Sequence, residues 1–434
     1  MRRLGSLVVA ALLVGGASSP VRAADADRRT RSGFIPLSSG TEAQYWLEMP
    51  AHGGPLPTLF TYDPYYTGTS FKASFVGVWD FFVPHGYAVI GVNIPGTGCS
   101  TGKFSPPGAS VWGREGAEIV EWIATQEWSD GHVGMAGASF PGLSQLGVAG
   151  FNPPHLDAIA PWDAVADWYR DMFYPGGIRN VVWPKFFGLG VQPGFAAFGT
   201  AQTLASGETH CAALSPTEQA ERTTGNFAFE SERHPWFDGY WQQAPITRAA
   251  SIDVPVFGCQ SWHDSAVGSR TAELYTAQAA HPERTWFVGT NGQHGSCIPA
   301  DDMVLAFMNR YVKGEDNGWE QTPHLILGHD IPIGEVNPPY ERESGPPAAW
   351  FSTPVGASAA ITPVTLHLHA DGVMDTRAPA SAESPVSYHY PLPSSSSGQF
   401  LMAEPGEASG WEVYNAPGGS VSYTTPQLAQ DVEV

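Results

Sequence analysis

Between residues 58 and 314 the chain alternates short apolar runs, rich in β-branched and aromatic residues, with segments of helical periodicity. The runs read TLFTYD, YAVIGVNI, HVGMAG, LDAIAPW, VPVFGCQ and RTWFVGT, and the helical patterns include residues 71–83, 115–126, 143–150, 269–280 and 301–312. Apolar strands separated by helices are typical of a parallel sheet covered on both faces. The sequence therefore predicts an α/β fold, preceded by an antiparallel hairpin in which FIPL and AQYWLEM flank residues 38–41.

Two regions depart from this alternation. The stretch between Trp162 and Val254 is rich in Trp, Phe, Pro and Gly, and it is too long for an ordinary connection. We expect residues 163–250 to form an inserted, largely helical cap over the carboxyl edge of the sheet. After residue 340, clusters of Pro, Ser and Ala separate β-prone stretches, as in an all-β module. The predicted organisation is an α/β domain of residues 24–340 followed by the start of a jelly-roll-like β-sandwich at 341–434.

Composition excludes several classes of protein. The 434 residues include 21 Lys and Arg against 42 Asp and Glu, which gives a formal net charge of −21. A surface this acidic repels phosphate backbones, so nucleic acid is not an expected partner. Charged residues make up 15% of the chain and hydrophobic residues 42%, the reverse of the mixture that keeps chains disordered.

The first residues have the pattern of an export signal. Arg2 and Arg3 precede an apolar run at residues 4–17, and Val21 and Ala23 supply the small residues that a signal peptidase reads. The run is shorter than the roughly 20 residues that a membrane span needs. We expect residues 1–23 to be removed near Ala24 and the protein to be secreted or periplasmic, with no membrane association afterwards. The alternative is an uncleaved anchor.

The segment HVGMAGASFPGLSQLG has the plan of a nucleophile elbow, in which a strand turns sharply into a helix and presents a serine. Gly137 and Gly142 supply small neighbours for Ser139. Pro141 interrupts the G-x-S-x-G string, but it falls in the first helical turn, where a missing N–H is tolerated. The Phe140 amide remains free to donate. The alternative is a serine that merely caps the helix after a glycine turn.

A serine nucleophile needs a histidine to accept its proton and an acid to orient that histidine. In α/β-hydrolases the three follow in the order Ser, acid, His, at the carboxyl ends of strands. Asp264 follows the strand in VPVFGCQSWHD, and His294 follows the next predicted strand in RTWFVGTNGQHG. Singly, Asp264 is also explained as a helix N-cap and His294 as a solvated loop residue. His263 is a rival base, although it precedes the acid and breaks the expected order.

Export makes the cysteines, at positions 99, 211, 259 and 297, candidates for disulfides. They show no C-x-x-C spacing, so no zinc site or other metal site is expected. Four cysteines allow three pairings. Because Cys259 and Cys297 lie beside the predicted acid and base on neighbouring loops, we favour the pair Cys259–Cys297, with Cys99–Cys211 following.

Over most of its length the sequence resembles the cocaine-esterase and Xaa-Pro dipeptidyl-peptidase (CocE/NonD) group of α/β-hydrolase serine hydrolases. The resemblance is carried by IPGTGCSTG, EIVEWIATQEWSDGHVGMAGASFPG, DWYRDMFYPGGIRN, VPVFGCQSWHD, FMNRYVKG and LHLHADG. It implies that Ser139 is the nucleophile, Asp264 the acid and His294 the base. It also implies that one oxyanion donor is a tyrosine hydroxyl, at Tyr65 with Tyr66 as the second choice.

The tetrahedral intermediate needs two preplaced donors for its negative oxygen, and these are expected to be the Phe140 amide and the Tyr65 hydroxyl. The alternative is that these aromatic residues only line a pocket. The chain departs from the family at Gly116, often acidic there, and at Ser261–Trp262, often Gly-Trp, which leaves the pocket shape open. Because the family's β-sandwich runs on beyond residue 434, we expect an incomplete sandwich.

The sequence says less about the substrate. Asp163, Asp167 and Asp171 recur every four residues, so on a helix they share one face. Such a stripe is expected either to receive an α-amino group or, more simply, to be a solvated helix face. The aromatic residues of the cap suit an apolar acyl group, or only pack the cap onto the sheet. The candidate substrate contacts are Tyr66, Trp162, Asp163, Trp168 and Trp262.

The sequence thus predicts a secreted serine hydrolase that cleaves a small carboxylic ester, or an amide, through an acyl-enzyme without a cofactor. An Xaa-Pro dipeptidyl-peptidase or an α-amino-acid ester hydrolase is the alternative within this class. A secreted binding protein with the same fold and an inert site is the alternative from another class.

Overall fold

A computed structural model describes residues 28–65, 79–104, 109–180, 188, 226–243, 245–262, 264, 266–272, 281–290, 294, 297, 301–329, 349–353 and 365–387. The expected signal segment, Tyr66, His263 and most of the expected sandwich lie outside these residues. Within the described ranges, no helix combines the length and the apolar character that crossing a membrane requires.

The centre of the fold is a ten-stranded sheet in the order β1-β2-β4-β3-β5-β6-β7-β8-β9-β10. The strands are β1 (Arg28–Pro36), β2 (Glu42–Pro50), β3 (Leu56–Asp63), β4 (Ala88–Asn93), β5 (Ser129–Ala138), β6 (Leu156–Trp162), β7 (Val256–Ser261), β8 (Thr285–Thr290), β9 (Leu325–His329) and β10 (Ala349–Thr353). The seven strands from β4 to β9 in this order are parallel. β1, β2 and β10 run antiparallel at the two edges. The predicted hairpin at residues 38–41 is the β1–β2 pair.

Helices cover both faces of the sheet. They are α1 (Trp79–Phe82), α2 (Ala109–Ala124), α3 (Phe140–Ala149), α4 (Phe227–Arg233) and α5 (Asp301–Tyr311), with short 3₁₀ turns at Val83–His85, Pro175–Gly177, Trp241–Gln243, Pro245–Ser251, Pro282–Arg284 and Trp319–Gln321. On one face Ile119 and Leu143 pack with Phe60, and on the other Phe307 packs with Leu59. Because β4, β7 and β8 are buried at every position, the expected α/β fold with a doubly covered parallel sheet is confirmed.

The sheet extends beyond β8, which is the last strand that the apolar runs predict. Those runs predict neither β9 nor β10, and residues 349–353 fall within the expected C-terminal module. In the structure these residues pair antiparallel with β9 and extend the main sheet. The chain forms two compact units, residues 1–355 and 356–434, and the second contains the short hairpin of β11 (His367–Leu368) and β12 (Met374–Asp375).

Part of the expected cap lies in the described residues. It begins with a π-helical turn at Trp168–Phe173, in which the Tyr174 N–H donates to the Tyr169 carbonyl five residues back. Single turns of this kind are frequent near functional sites. The other described helical parts of the cap are α4 and the short 3₁₀ turns at 175–177, 241–243 and 245–251.

Candidate active site

The turn from β5 into α3 holds Ser139 in a strained conformation. Ser139 has φ 63° and ψ −127°, in the region that favours glycine, and its N–H donates to the Trp162 carbonyl at 3.0 Å. A Cβ on Gly137 would lie 2.6 Å from the Cβ of Pro141, and one on Gly142 would lie 2.6 Å from the Trp162 carbonyl oxygen. Ser139 makes no side-chain capping bond to α3. The hydroxyl is therefore available for another partner, and the capping alternative does not describe it.

The partner of the Ser139 hydroxyl is His294. His294 Nε2 lies 2.9 Å from Ser139 Oγ, and Nδ1 of the same ring lies 2.8 Å from Asp264 Oδ2. The other carboxylate oxygen of Asp264 accepts the amide N–H groups of Ala266 and Val267, each at 2.9 Å. Asp264 therefore stabilises its own turn with one oxygen and holds the imidazole with the other.

Burial and charge act together on His294. The Asp264 side chain is fully buried, whereas that of His294 retains 28% exposure. Burial acts to lower the pKa of His294, but the hydrogen bond to Asp264 and the negative charges of Asp264 and Asp163 outweigh it, so the pKa is raised. A raised pKa makes the imidazole a stronger base, which is what proton removal from a serine requires.

The two residues expected to supply the oxyanion donors, Tyr65 and Phe140, pack against each other. Phe140 is the first residue of α3, and none of the hydrogen bonds among the described residues engages its amide N–H. The Tyr65 ring packs edge-on against the Phe140 ring at 6.1 Å. The Tyr65 N–H donates to Asp63 Oδ1 at 2.6 Å, so a buried carboxylate at the end of β3 holds the turn that carries Tyr65.

Asp163, a candidate substrate contact, lies in the protein interior and has no contact with solvent. It is fully buried at the end of β6, with its carboxylate accepting hydrogen bonds from Ser261 and from the Cys297 amide. One donor atom each from Asp163, Asp264 and His294 lie within 4.8 Å of one another, close enough to surround a cation. All three groups are already engaged by protein hydrogen bonds, so we interpret the cluster as a proton-transfer arrangement.

The other two aspartates of the predicted stripe are buried as well. Asp167 is fully buried, accepts the Arg170 N–H at 3.0 Å and forms an ion pair with the Arg170 guanidinium. Asp171 accepts the Asp167 N–H at 3.0 Å, and its oxygen lies 3.4 Å from Arg270 Nε. The expectation of a solvated helix face is wrong, because both carboxylates are enclosed and paired with arginine.

The aromatic candidates divide into two groups. Trp162 and Trp168 are 1% and 2% exposed, and Trp168 packs against the Phe140 ring, so both belong to the protein interior. Trp262 is 39% exposed and packs on Phe287, over the position where Gly289 has no side chain. Trp262 remains a candidate substrate contact on its exposure. Tyr66 lies outside the described residues.

The expected disulfide between Cys259 and Cys297 is confirmed, with the two Cα atoms 5.6 Å apart. Cys259 lies in β7, five positions before Asp264, and Cys297 lies three positions after His294. Cys99 is also disulfide-bonded, and Cys211 lies outside the described residues. The bond at 259–297 therefore ties the strand before the acid to the segment that carries the histidine.

Two residues of this site are not identified by the sequence motifs. Asp63 and Ser261 each end a buried strand, at the sheet edge where the site lies. A polar residue directly after an apolar run is the signal that indicates such a position. It does not reveal which partner the residue meets.

The chain is similar to known hydrolases in family, sequence and fold. The sequence model of the X-Pro dipeptidyl-peptidase family (S15 family) matches residues 40–296, which is more than half of the chain. The cocaine esterase of Rhodococcus sp. (strain MB1 Bresler) is 28% identical over 330 residues, which cover 68% of this chain and 57% of that esterase. This chain thus spans little more than half the length of that relative.

Solved structures show the same fold. A CocE/NonD family hydrolase from Staphylococcus aureus matches with a TM-score of 0.60 at 21% identity, over 80% of this chain and 59% of the other. An α-amino acid ester hydrolase matches with a TM-score of 0.54 at 17% identity, over 86% and 67%. These likenesses establish the α/β-hydrolase fold, and with the family match they confirm the resemblance found in the sequence. The chain therefore belongs to the X-Pro dipeptidyl-peptidase (S15) family of hydrolases.

Proposed function

We propose that this protein is a serine hydrolase that cleaves small carboxylic esters through an acyl-enzyme. The observation that carries the proposal is the unbroken pair of hydrogen bonds from Ser139 Oγ to His294 at 2.9 Å and from His294 to Asp264 at 2.8 Å. A serine hydroxyl becomes a competent nucleophile when a base accepts its proton and an acid orients that base. The same pair of bonds argues against an inert binding protein.

In the proposed reaction, Ser139 Oγ attacks the ester carbonyl carbon while its proton passes to His294 Nε2. Asp264 stabilises the imidazolium that forms. The tetrahedral intermediate collapses, the carbon–oxygen bond to the alcohol breaks, and the alcohol oxygen takes the proton from His294. Water then attacks the acyl-enzyme with His294 as its base, and Ser139 recovers a proton as the carboxylic acid leaves.

The negative oxygen of each intermediate is proposed to accept hydrogen bonds from the Phe140 amide and the Tyr65 hydroxyl. The Phe140 amide at the start of α3 supports the first assignment, because the amides of a first helical turn lack intrahelical acceptors. The Asp63 contact supports the second, because it restrains the Tyr65 backbone. Removal of one oxyanion donor lowers the turnover rate by about 10²–10³.

The ester is favoured over a substrate with a free α-amino group. A carboxylate that receives an ammonium must be accessible, whereas Asp167 and Asp171 are paired with Arg170 and Arg270. An Xaa-Pro dipeptidyl-peptidase or an α-amino-acid ester hydrolase is the second candidate, favoured by the family match. We also propose export, on the basis of the basic, apolar and small-residue pattern in residues 1–23.

The test uses protein that an exporting host has secreted. The mass of this protein, measured by mass spectrometry, reports whether the chain begins at Ala24. A fluorophosphonate probe is expected to label the protein, and a p-nitrophenyl acyl ester is expected to be hydrolysed faster than an Ala-Pro anilide. Ser139→Ala is expected to abolish both the labelling and the hydrolysis. Ser144→Ala is the matched control, because Ser144 is a buried serine in α3, the helix that Ser139 precedes. Among the described residues its hydroxyl bonds only to the Pro141 carbonyl.

An absence of labelling in folded protein contradicts the proposal and favours the binding protein. Faster cleavage of the anilide replaces the ester with the dipeptidyl substrate and leaves the nucleophile unchanged.

A further inference from the structure

A second buried carboxylate, Asp163, lies directly beside the strand that carries the nucleophile. It follows Trp162, whose carbonyl accepts the Ser139 N–H, and its own N–H donates to the Cys259 carbonyl at 2.9 Å. Asp163 adopts φ 37°, which is uncommon for a residue other than glycine and is best tolerated by Asn and Asp. Strained backbone of this kind persists where surrounding contacts hold it, and it is frequent at active sites.

The Asp163 carboxylate joins the two segments that carry the acid and the base. Oδ1 accepts the Ser261 N–H at 2.7 Å, and Oδ2 accepts the Ser261 hydroxyl at 3.2 Å and the Cys297 N–H at 3.2 Å. Ser261 ends β7 three residues before Asp264, and Cys297 lies three residues after His294. A single side chain therefore fixes both ends of the hydrogen bond between His294 and Asp264.

The charge of Asp163 also acts on the imidazole. Among the described residues, the charged groups that influence Asp163 are Asp264, which repels it, and His294, which attracts it. Its hydrogen-bond partners Ser261, Gln260 and Cys297 are neutral. Burial and the charge of Asp264 raise the pKa of Asp163 to about 6. Above that pH two buried carboxylates face one imidazole, and both favour its protonated form.

We propose that Asp163 is a positioning residue of the hydrolytic site, which holds the Asp264 and His294 segments in register and stabilises the imidazolium through its negative charge. The inference rests on the proposed function, in which His294 carries a proton during each half of the reaction. In this role Asp163 does not itself react with the substrate. It acts through His294 and through the backbone around it.

The primary test measures the proton affinity of His294 itself, which needs no turnover. Protein with ¹³C-labelled histidine is titrated by NMR, and the His294 signal is identified by its loss in His294→Gln. Asp163→Asn keeps the shape and the tolerance of positive φ but removes the charge. We expect the pKa of His294 to fall by about one unit, because an opposite charge near an ionisable group shifts its pKa by one unit or more.

The control is Asp167→Asn, which neutralises another fully buried aspartate of the same segment that pairs with Arg170. It is expected to leave the titration of His294 unchanged. In ester hydrolysis, the acidic limb of kcat/KM is expected to move to lower pH in Asp163→Asn by the same amount as the NMR titration, together with a lower kcat. If kcat falls but the acidic limb of the kcat/KM profile stays at the same pH, Asp163 has a structural role only.

The failures are separable. If wild-type protein is not labelled by fluorophosphonate, the proposed function fails, and the same titration still decides whether Asp163 raises the pKa of His294. If labelling occurs but His294 titrates identically in the wild type and in Asp163→Asn, the inference is overturned and the hydrolase stands. Asp163→Gly, which also accepts positive φ, serves as the second variant. Unfolding of both Asp163 variants while Asp167→Asn folds would overturn the catalytic part of the inference.

Discussion

At the scale of single residues, the site depends on backbone conformations that ordinary residues avoid. Ser139 and Asp163 both have positive φ, and they lie at the ends of the adjacent parallel strands β5 and β6. The Ser139 N–H bond to the Trp162 carbonyl links the two strand ends. The Ser139 backbone is therefore fixed against the strand end that carries Asp163.

Gly137→Ala is predicted to disrupt this arrangement. Alanine would have to adopt the φ of 151° that Gly137 has, and its Cβ would lie 2.6 Å from the Cβ of Pro141. Left-handed strain costs about 1–2 kcal/mol and overpacking about 1–3 kcal/mol. We expect a loss of about 2–5 kcal/mol in the free energy of unfolding, measured in denaturant, and slower fluorophosphonate labelling of Ser139.

Gly131→Ala is the control for this substitution. Gly131 is the third residue of the same strand and has a φ of 92°. The atom nearest to its added Cβ would lie 4.0 Å away. Gly131→Ala therefore introduces the same kind of backbone strain as Gly137→Ala, but no close contact next to the serine. If both variants label at the wild-type rate, the geometry of the elbow does not depend on Gly137.

At the scale of elements, the site is assembled by the adjacency of parallel strands. Pairing of β5 with β6, β6 with β7 and β7 with β8 brings four carboxyl ends to one edge of the sheet. Ser139, Asp163, Asp264 and His294 follow these four strands in turn. The disulfide Cys259–Cys297 then links β7 to a position three residues after the histidine.

Removal of this disulfide is predicted to weaken both stability and activity. A bond that spans a sequence separation of 38 residues contributes about 4 kcal/mol through loop closure. The double variant Cys259→Ala with Cys297→Ala is expected to lose about that free energy of unfolding and to have a lower kcat, because the His294 segment is less restrained. Thermal and ester-hydrolysis measurements check both effects.

Reductant provides the control, because it acts on the wild type through both disulfides and on the double variant only through that of Cys99. The prediction fails if the double variant matches the wild type in melting temperature and turnover.

At the scale of the whole molecule, the buried carboxylate makes stability depend on pH. The pKa of Asp163 is raised to about 6 in the folded protein, against 3.8 for an unperturbed aspartate. A raised acid pKa stabilises the fold at low pH, and that contribution is lost as pH rises through about 6. The raised pKa of His294 acts in the same sense, since its contribution is also lost with rising pH.

We therefore predict that Asp163→Asn gains stability relative to the wild type as pH rises from about 4 to above 6. Neutralising Asp163 removes the first contribution and weakens the second, and each shift of one pKa unit corresponds to about 1.4 kcal/mol. Melting temperatures of both proteins across this pH range measure the difference. A constant difference, or one that reverses, contradicts the assigned charge state.

Much of this architecture was predictable from local pattern. Apolar runs and helical periodicity indicated the parallel sheet, and the order of Ser139, Asp264 and His294 at strand ends indicated the candidate site. Strand β9 and the edge strand β10 were missed because β9 has only five residues and β10 follows it after a long interval. The aspartates at 163, 167 and 171 were misjudged because a regular spacing describes a helix face, whereas the chain there forms a strand end and a π-helical turn.

The sequence by itself determined which residues stand at the ends of buried strands, because strand and turn formation depend on near neighbours. Only the tertiary structure decided that Asp163 meets Ser261, 98 positions away, and the Cys297 amide, 134 positions away. The same applies to Arg270, which pairs with Asp171 across 99 positions, whereas Arg170 is a local partner three positions from Asp167. Whether a carboxylate faces substrate, solvent or another side chain depends on which distant segments pack around it, and no local pattern encodes that.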